Sequence, residues 1–429
     1  MYSNVRHNPK IQLGFQGGSM ARHYTTKDFF RQMPNALLSR YFGARGLFAD
    51  LDFAGIKESK PDELFGAWLD LPDDQRNQMD AELREIFDLC CEKGFVAILD
   101  EIGWQLRDAP DEFTALVEAL SDLPGHHERA MVTFLDHNEY WKGATRFHHA
   151  DTLSYWRKRK HLSHNVAAVD EVSIAKLADA ISGYFHYTEG RGKHCVVEPY
   201  RRGDRDYFFA YPEDYSQQEP EWVNGEIDRR PHNPAFEVVF VYSQKEGSLD
   251  LHFRGSYKAI EPLQAMFSTT ILKLPELPPD PKDERVYDLN PLRYTGFDFN
   301  YAVGSGIERI AISKLRLSSR AKKGERITLE ANTSEDSNAI YALLATLGKS
   351  IQLHLYNVTQ VELSASVALD ADKPPKAVTI RITHPNSCSL KYDEVGMRLR
   401  DMLAASDIEL KEPTEKGGPV VVEEEPVEA

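Results

Sequence analysis

The 429-residue sequence predicts an α+β protein: an N-terminal helical bundle followed by two β-rich modules, the last a two-layer α/β sandwich with a mainly antiparallel sheet. Three observations carry this. From about residue 24 to 187, apolar residues recur at the 3.6-residue helical period. After the turn-forming stretch Thr188–Lys193 the period falls to two, as in strands with one face buried. A proline-rich stretch, 273–291, then divides the strand-bearing part. A chain of this length exceeds one ordinary core, so several domains are expected.

The elements follow in order. Residues 1–19, "MYSNVRHNPKIQLGFQGGS", have no helical period and end in Gly-Gly-Ser ahead of Met20; they read as a disordered tag or an over-called start. Residues 20–190 form the helical domain. "PDDQRNQMDAELREIFDLCCEKG" puts Met79, Leu83, Ile86, Phe87 and Cys90 on one stripe, with Asp73 or Asp74 to cap its start and Gly94 to end it. Cys90, inside the stripe, reads as a small core residue. "DAPDEFTALVEALSDLPG" repeats the grammar with Phe113, Leu116, Val117 and Leu120, and "DEVSIAKLADAISGYF" with Ile174, Leu177, Ala178, Ile181 and Phe185. Between them, 146–161 reads as one helix. That reading buries Phe147 and Leu153, half-buries Trp156 and leaves Arg157 to Lys160 solvated. Lys158→Ala should then be nearly neutral.

The β-rich module spans 191–272. "HCVVEPYRR", "RDYFFAYPEDY", "AFEVVFVYSQ" and "SLDLHFRG" read as strands, the last two joined through "KEG" with Gly247 in a left-handed position. "YKAIEPLQAMFSTTIL" reads as a helix, and 273–291 as the linker. In the two-layer module, 292–408, alternation is clean. Val361, Leu363, Ala365, Val367 and Leu369 share one face, as do Val378, Ile380 and Ile382. Two further strands precede them, and "NAIYALLATLG" supplies a covering helix. The order strand, strand, helix, strand, strand, helix fits an antiparallel sheet with one wet face. Residues 409–429 read as a disordered acidic tail.

Charge and motifs exclude several functions. The net charge of −16 is uneven: residues 50–125 hold twenty acids against six bases. Acidity overall is therefore compatible with a local basic surface. No run approaches the roughly 18 apolar residues of a membrane span, and no apolar signal segment opens the chain. With four cysteines, two of them adjacent, and no CxxC pair, the expected setting is a reducing cytoplasm. GxGxxG, GxSxG and HExxH are absent. "TLGKS" ends like a phosphate loop, but Leu343 stands where the upstream glycine belongs and the stretch closes a helix.

Seven of the fifteen histidines fall between His126 and His164, which raises a metal site at His148, His149, His161 and His164. Only His161 and His164 have the spacing to share a metal on a helix, and four cations precede them. No metal and no cofactor are therefore expected. Arg157, Lys158, Arg159, Lys160, Arg201 and Arg202 are candidate contacts to nucleic-acid phosphates; the plainer reading is a solvated helix end and loop tips. The wet face of the last sheet lacks the exposed aromatics that stack bases. Glu237, Asp250 and Lys258, on or near one hairpin, are a nuclease-like trio by spacing alone. His194 beside Cys195, and His384 near Cys388, raise cysteine chemistry, but adjacent strand residues point to opposite faces.

At "EGRGKHCVVEPYRR", "YFFAYPEDY", "NPAFEVVFVYSQKEG" and "HPNSCSLK" the chain resembles a family of uncharacterised bacterial proteins of similar length with no assigned activity. The resemblance spans about 20 to 410. It implies a bacterial cytoplasmic origin and, more distantly, mobile genomic islands where phage-defence systems cluster. Because the sequence carries no catalytic signature, the expected function is a non-enzymatic subunit or accessory protein of a bacterial multi-protein system, binding a protein partner and nucleic-acid phosphates. The alternatives are a hydrolase or nuclease assembled from dispersed carboxylates and histidines, and a small-molecule sensor with a pocket between the two β modules.

Overall fold

The computed structural model describes residues 23–223, 225–279, 286–369 and 374–410. The expectations for 1–19, for the middle of the linker and for the tail after Leu410 lie outside these residues. The protein is α+β, and its chain divides into two compact units, Met1–Ile98 with Asp111–Trp141 and Leu99–Pro110 with Lys142–Ala429.

The first unit is helical. It holds α1 (Thr26–Gln32), α2 (Asn35–Gly43), α3 (Asp62–Leu69), α4 (Asp73–Leu89), the start of α5 (Glu92–Gln105), most of α6 (Pro110–Ser121) and α7 (His126–Asp136). Thr25 caps α1 by accepting from the Asp28 amide. Met79, Leu83, Ile86 and Phe87 of α4 are buried, as the stripe requires. Phe30 meets Phe42 and Trp68 edge-on, with ring centres 5.9 and 5.7 Å apart. Gly94 does not end α4. It lies in the first turn of α5, where a Cβ would come within 2.2 Å of the Leu89 carbonyl oxygen, so the two helices can follow each other this closely only with glycine there.

The second unit is built on a sheet. Its further elements are α8 (Trp141–Ala150), β1 (Trp156–Arg159), α9 (Glu171–Glu189), β2 (Cys195–Arg202), β3 (Arg205–Pro212), β4 (Gln217–Val223), β5 (Glu226–His232), β6 (Val238–Ser243), β7 (Ser248–Phe253) and α10 (Ile260–Thr270). There follow β8 (Ile307–Ser319), β9 (Arg326–Glu330), α11 (Ala339–Gly348), β10 (Tyr356–Val367), β11 (Lys376–Thr383), β12 (Ser387–Cys388) and α12 (Glu394–Ala405). The strands expected in two modules belong to one ten-stranded sheet, in the order β2-β3-β6-β7-β1-β12-β11-β10-β8-β9. Its ladders are antiparallel.

The joint is β1. On one side Lys158 pairs with Asp250 of β7; on the other Trp156 pairs with Cys388 of β12. This corrects three expectations. The stretch 146–161 is not one helix: α8 stops at Ala150, and Tyr155 turns the chain with φ +65° into a strand. Phe147 and Leu153 are buried as expected, but so are Trp156, Lys158 and Arg159. The boundary at 188–193 is not a domain boundary, because α9 packs on the sheet through Leu177, Ile181 and Phe185. The end of the linker is not loose either: Val286, Tyr287 and Leu289 are buried, and Tyr287 bridges to Glu409.

Two cores occupy the two halves of the sheet. Phe208 and Phe240 meet Phe267 of α10 and Phe185 of α9 in one. In the other, Val361, Leu363, Ile380 and Ile382 lie beneath Ile340 of α11 and Leu399 of α12. Here the alternation along β10 and β11 follows the sequence reading as far as Val367, with the opposite face partly wet; Leu369, expected on the buried face, lies past the end of β10 and is exposed.

Candidate functional site

Strand β1 carries a basic run into the interior, and the acids that neutralise it come from distant positions. Lys158 Nζ lies 2.9 Å from Glu409 Oε1, 3.1 Å from Glu246 Oε2 and 3.8 Å from Asp250 Oδ2. Burial opposes its charge, but Glu409 and Asp250, followed by Glu246, outweigh that and hold the ammonium charged above its ordinary range. Glu246 is reached also by Arg205 Nη2 at 3.1 Å and Ser248 Oγ at 2.9 Å. Burial would raise its pKa; Lys158 and Arg205 overcome that and bring it down to about 2. Lys160 Nζ donates to the Leu410 carbonyl at 2.6 Å and stands 3.1 Å from Glu409. The first residue of the expected acidic tail is therefore a buried counter-ion, because the only way to keep β1 cations inside is to bring carboxylates to them.

Above this cluster α12 supplies Arg400, which donates Nη2 to the Leu390 carbonyl at 2.9 Å. Its guanidinium lies 4.2 Å from the ring centre of Tyr392, and that of Arg205 lies 5.3 Å from the same ring. Trp156 meets Tyr392 edge-on at 5.1 Å. A cleft of about 290 Å³ opens here, walled by Lys158, Lys160, Arg205, Arg400, Glu246 and Glu409. It sits at the joint between the halves of the sheet.

A second feature stands apart. Among the described residues, strands β4 and β5 pair only with each other, in an antiparallel ribbon grown from the loop between β3 and β6. Its base is fixed. Arg191 contacts Asp214 at 2.8 Å and Glu189 at 2.7 Å and lies 3.9 Å from the Phe236 ring centre, while Tyr215 donates to the Glu189 carbonyl at 2.6 Å. Towards its end Trp222 stands directly across from Ile227, 75% and 63% exposed. By alternation Pro220, Arg229 and Pro231 share their face, and Glu219, Glu221, Glu226 and Asp228 the other. The sequence reading, with four strands in 191–272, missed the ribbon. The available signal was Asn224-Gly225 between two short runs, the strongest two-residue hairpin marker; Gly225 has φ +84°.

The remaining candidates disperse. Arg159 donates to Gln264 Oε1 at 3.3 Å and to the Pro278 carbonyl at 2.5 Å. Arg201 holds Asp206 through two bonds of 2.8 and 3.0 Å. Arg202 holds Asp151 at 2.7 Å and Asp100 at 2.7 Å. Arg157 is half-exposed, 5.1 Å from the Tyr257 ring centre. The expected solvated patch is thus mostly an internal set of ion pairs. His149 Nε2 meets Glu237 Oε1 at 2.7 Å, and His148 lies beside it in α8. His161 has φ +61° and His164 Nδ1 meets the Gln244 carbonyl at 2.8 Å, so the helical spacing invoked for that pair does not apply. Among the described residues no group of three His, Cys, Asp or Glu side chains is placed to hold a metal ion.

Glu237, Asp250 and Lys258 do not converge. Asp250 faces Val241 across the hairpin, four residues from Glu237 and so roughly 13 Å along the strand. It is buried against Lys158, while Lys258 is exposed on a short turn. Burial pushes the Cys195 thiol up to about 12, with a smaller raising effect from Asp179, and raises Cys388. Neither is an activated thiolate.

Among the described residues no helix is long and apolar enough to cross a membrane. Set beside protein-family models, curated proteins and solved structures, the chain matches none.

Proposed function

We propose that this chain is a non-enzymatic subunit of a bacterial multi-protein assembly in the cytoplasm, and that it binds a protein partner through the β4–β5 ribbon. The observation that carries this is the Trp222–Ile227 pair, exposed to water on a two-stranded arm whose base is held by ion pairs and hydrogen bonds. A two-stranded ribbon outside any core is marginal by itself. A tryptophan left at its end costs hydration free energy, which burial in a partner returns; tryptophan and arginine are also the residues most enriched among binding hot spots. Phosphate binding by the basic run has less support, since most of those cations already have carboxylate or carbonyl partners. The hydrolase alternative loses its trio to distance.

The test compares the tagged wild-type chain with a Trp222→Ser/Ile227→Ser variant in the cells that carry the gene, followed by reconstitution of any stoichiometric partner from purified proteins. The expected result is a one-to-one complex weakened about tenfold or more in the variant, with an unchanged melting temperature. Equal affinity for both forms would overturn the ribbon's role, and self-association lost in the variant would replace the partner with a second copy.

A further inference from the structure

The face of β10 and β11 that points away from Val361 and Ile382 is partly wet, and the ladder registers run one row of side chains across it. Arg157 of β1 stands opposite Ser387, Ser387 opposite Thr383, Thr383 opposite Gln360, and Gln360 opposite Arg316 of β8. Paired residues share a face, so all five point to the same side, and each is partly exposed. The row holds cations and neutral hydrogen-bonding groups but no acid. Arg326 adjoins it, opposite Ser318, two residues on from Arg316. Among the described residues, Arg157, Arg316 and Arg326 have no carboxylate in ion-pair contact. The next row is neutralised within itself: Arg381 reaches Glu362 at 2.7 Å and Lys314 reaches Glu330 at 3.0 Å. Burial lowers the pKa of Arg316, and the Arg326 guanidinium lowers it further. Two cations near enough to repel, with no acid between them, are unfavourable in the free protein; an anion laid across them relieves that.

Aromatic rings flank the row, supplied by segments outside 292–408, where alternation alone shows none. Tyr257, 63% exposed, has the Arg157 guanidinium 5.1 Å from its ring centre. Tyr155, 54% exposed, accepts from Arg381 Nη1 at 3.3 Å, which sets it on the same face. Its φ of +65° is one that a bulky residue rarely adopts. Arg157 and Arg316 lie four strands apart in the sheet order, roughly 19 Å at the usual strand spacing. That leaves room for about four nucleotides, the lower end of single-strand site sizes.

We propose that this face binds single-stranded nucleic acid, with phosphates on Arg157, Arg316 and Arg326 and unpaired bases on Tyr155 and Tyr257. Exposed rings suit unpaired bases, which a duplex keeps stacked inside, and a sheet face has no projecting element to enter a duplex groove. Of the basic run at 157–160 only Arg157 takes part. The ribbon reading uses other residues, and neither depends on the other.

The experiment is fluorescence anisotropy of the full-length chain with end-labelled oligouridylate and oligothymidylate of about 12 nucleotides, over a series of salt concentrations. A duplex of the same length and oligoglutamate serve as competitors. Saturable binding of the single strand in preference to the duplex is expected, its logarithm falling with that of salt at a slope of about −2 for three phosphate contacts. Arg316→Ser/Arg326→Ser should weaken binding about tenfold or more and flatten the slope to about −0.7. Its melting temperature should be no lower than that of the wild type, because the two cations repel in the free protein. Tyr257→Ser should weaken binding about fivefold or more at an unchanged slope, since stacking releases no counterions. Lys349→Ser removes an exposed cation after α11, in the layer on the other side of the sheet, and should change nothing. Absence of saturable binding, affinity unchanged in Arg316→Ser/Arg326→Ser or in Tyr257→Ser, an equal loss in Lys349→Ser, or preference for the duplex would overturn the proposal. Displacement by oligoglutamate as effective as by unlabelled single strand would replace nucleic acid with an acidic peptide.

Discussion

Lys158 reverses its expected role once its surroundings are known. As a member of a solvated run it would tolerate alanine; in β1 it faces Glu246, Asp250 and Glu409. Removing one member of a buried ion cluster strands the others and costs about 3–5 kcal/mol. Lys158→Ala should therefore destabilise as much as Leu153→Ala, which empties a fully packed site at about 2–5 kcal/mol. Urea melts of the two variants decide it, and a near-neutral Lys158→Ala would mean that the cluster is hydrated. The same carboxylates set an acid response. Glu246 is lowered from an ordinary 4.5 to about 2, and Glu409 is lowered too. A depressed folded-state pKa stabilises the fold above the unfolded value and loses that contribution as pH falls through the folded one. Unfolding free energy should thus decline from about pH 4.5 towards pH 2, and Glu246→Gln should flatten part of that decline. Parallel pH profiles for wild type and variant would contradict the assignment.

Elements were misread where the period of a segment was too short to be diagnostic. Trp156–Arg159 has four residues, a span in which a strand and one helical turn cannot be told apart by spacing; pairing to β7 and β12 settles it. Long elements were secure. Met79, Leu83, Ile86 and Phe87 mark one face of the 17-residue α4, and eight paired positions join β10 to β11. Gly94 shows the limit of boundary signals. Glycine was read as a helix end, whereas its use is close approach to Leu89. Gly94→Ala should force backbone movement between α4 and α5 and cost about 1–3 kcal/mol, as overpacking does. A calorimetric melt within experimental error of wild type would show that the junction relaxes freely.

At the scale of the molecule, the described residues of the second unit build two cores on one ten-stranded sheet. Strands β1 and β12 are the fifth and sixth of ten in the sheet order, so neither half can separate without exposing their backbone donors and acceptors. Amides in β1, β7 and β12 should consequently exchange with deuterium only through global opening, while the edge strands β2 and β9 exchange through smaller fluctuations. If β8 to β11 opened together at lower free energy than β3 and β6, the halves would be independent folding blocks.

What the sequence by itself determined is local and periodic: the α+β class, the helices with a sustained stripe, the succession of main strands and helices along 292–408, and Gly247 at the β6–β7 turn with φ +57°. Hydrophobic period reports which face of an element is buried, and that information is carried by neighbours in the chain. The tertiary structure alone decided that Lys158 and Glu409, 251 positions apart, share one interior, that two apparent modules are a single sheet, and that Arg400 lines a cleft beside them. Those outcomes depend on electrostatic pairing and backbone hydrogen bonding between remote segments, and neither leaves a spacing in the sequence.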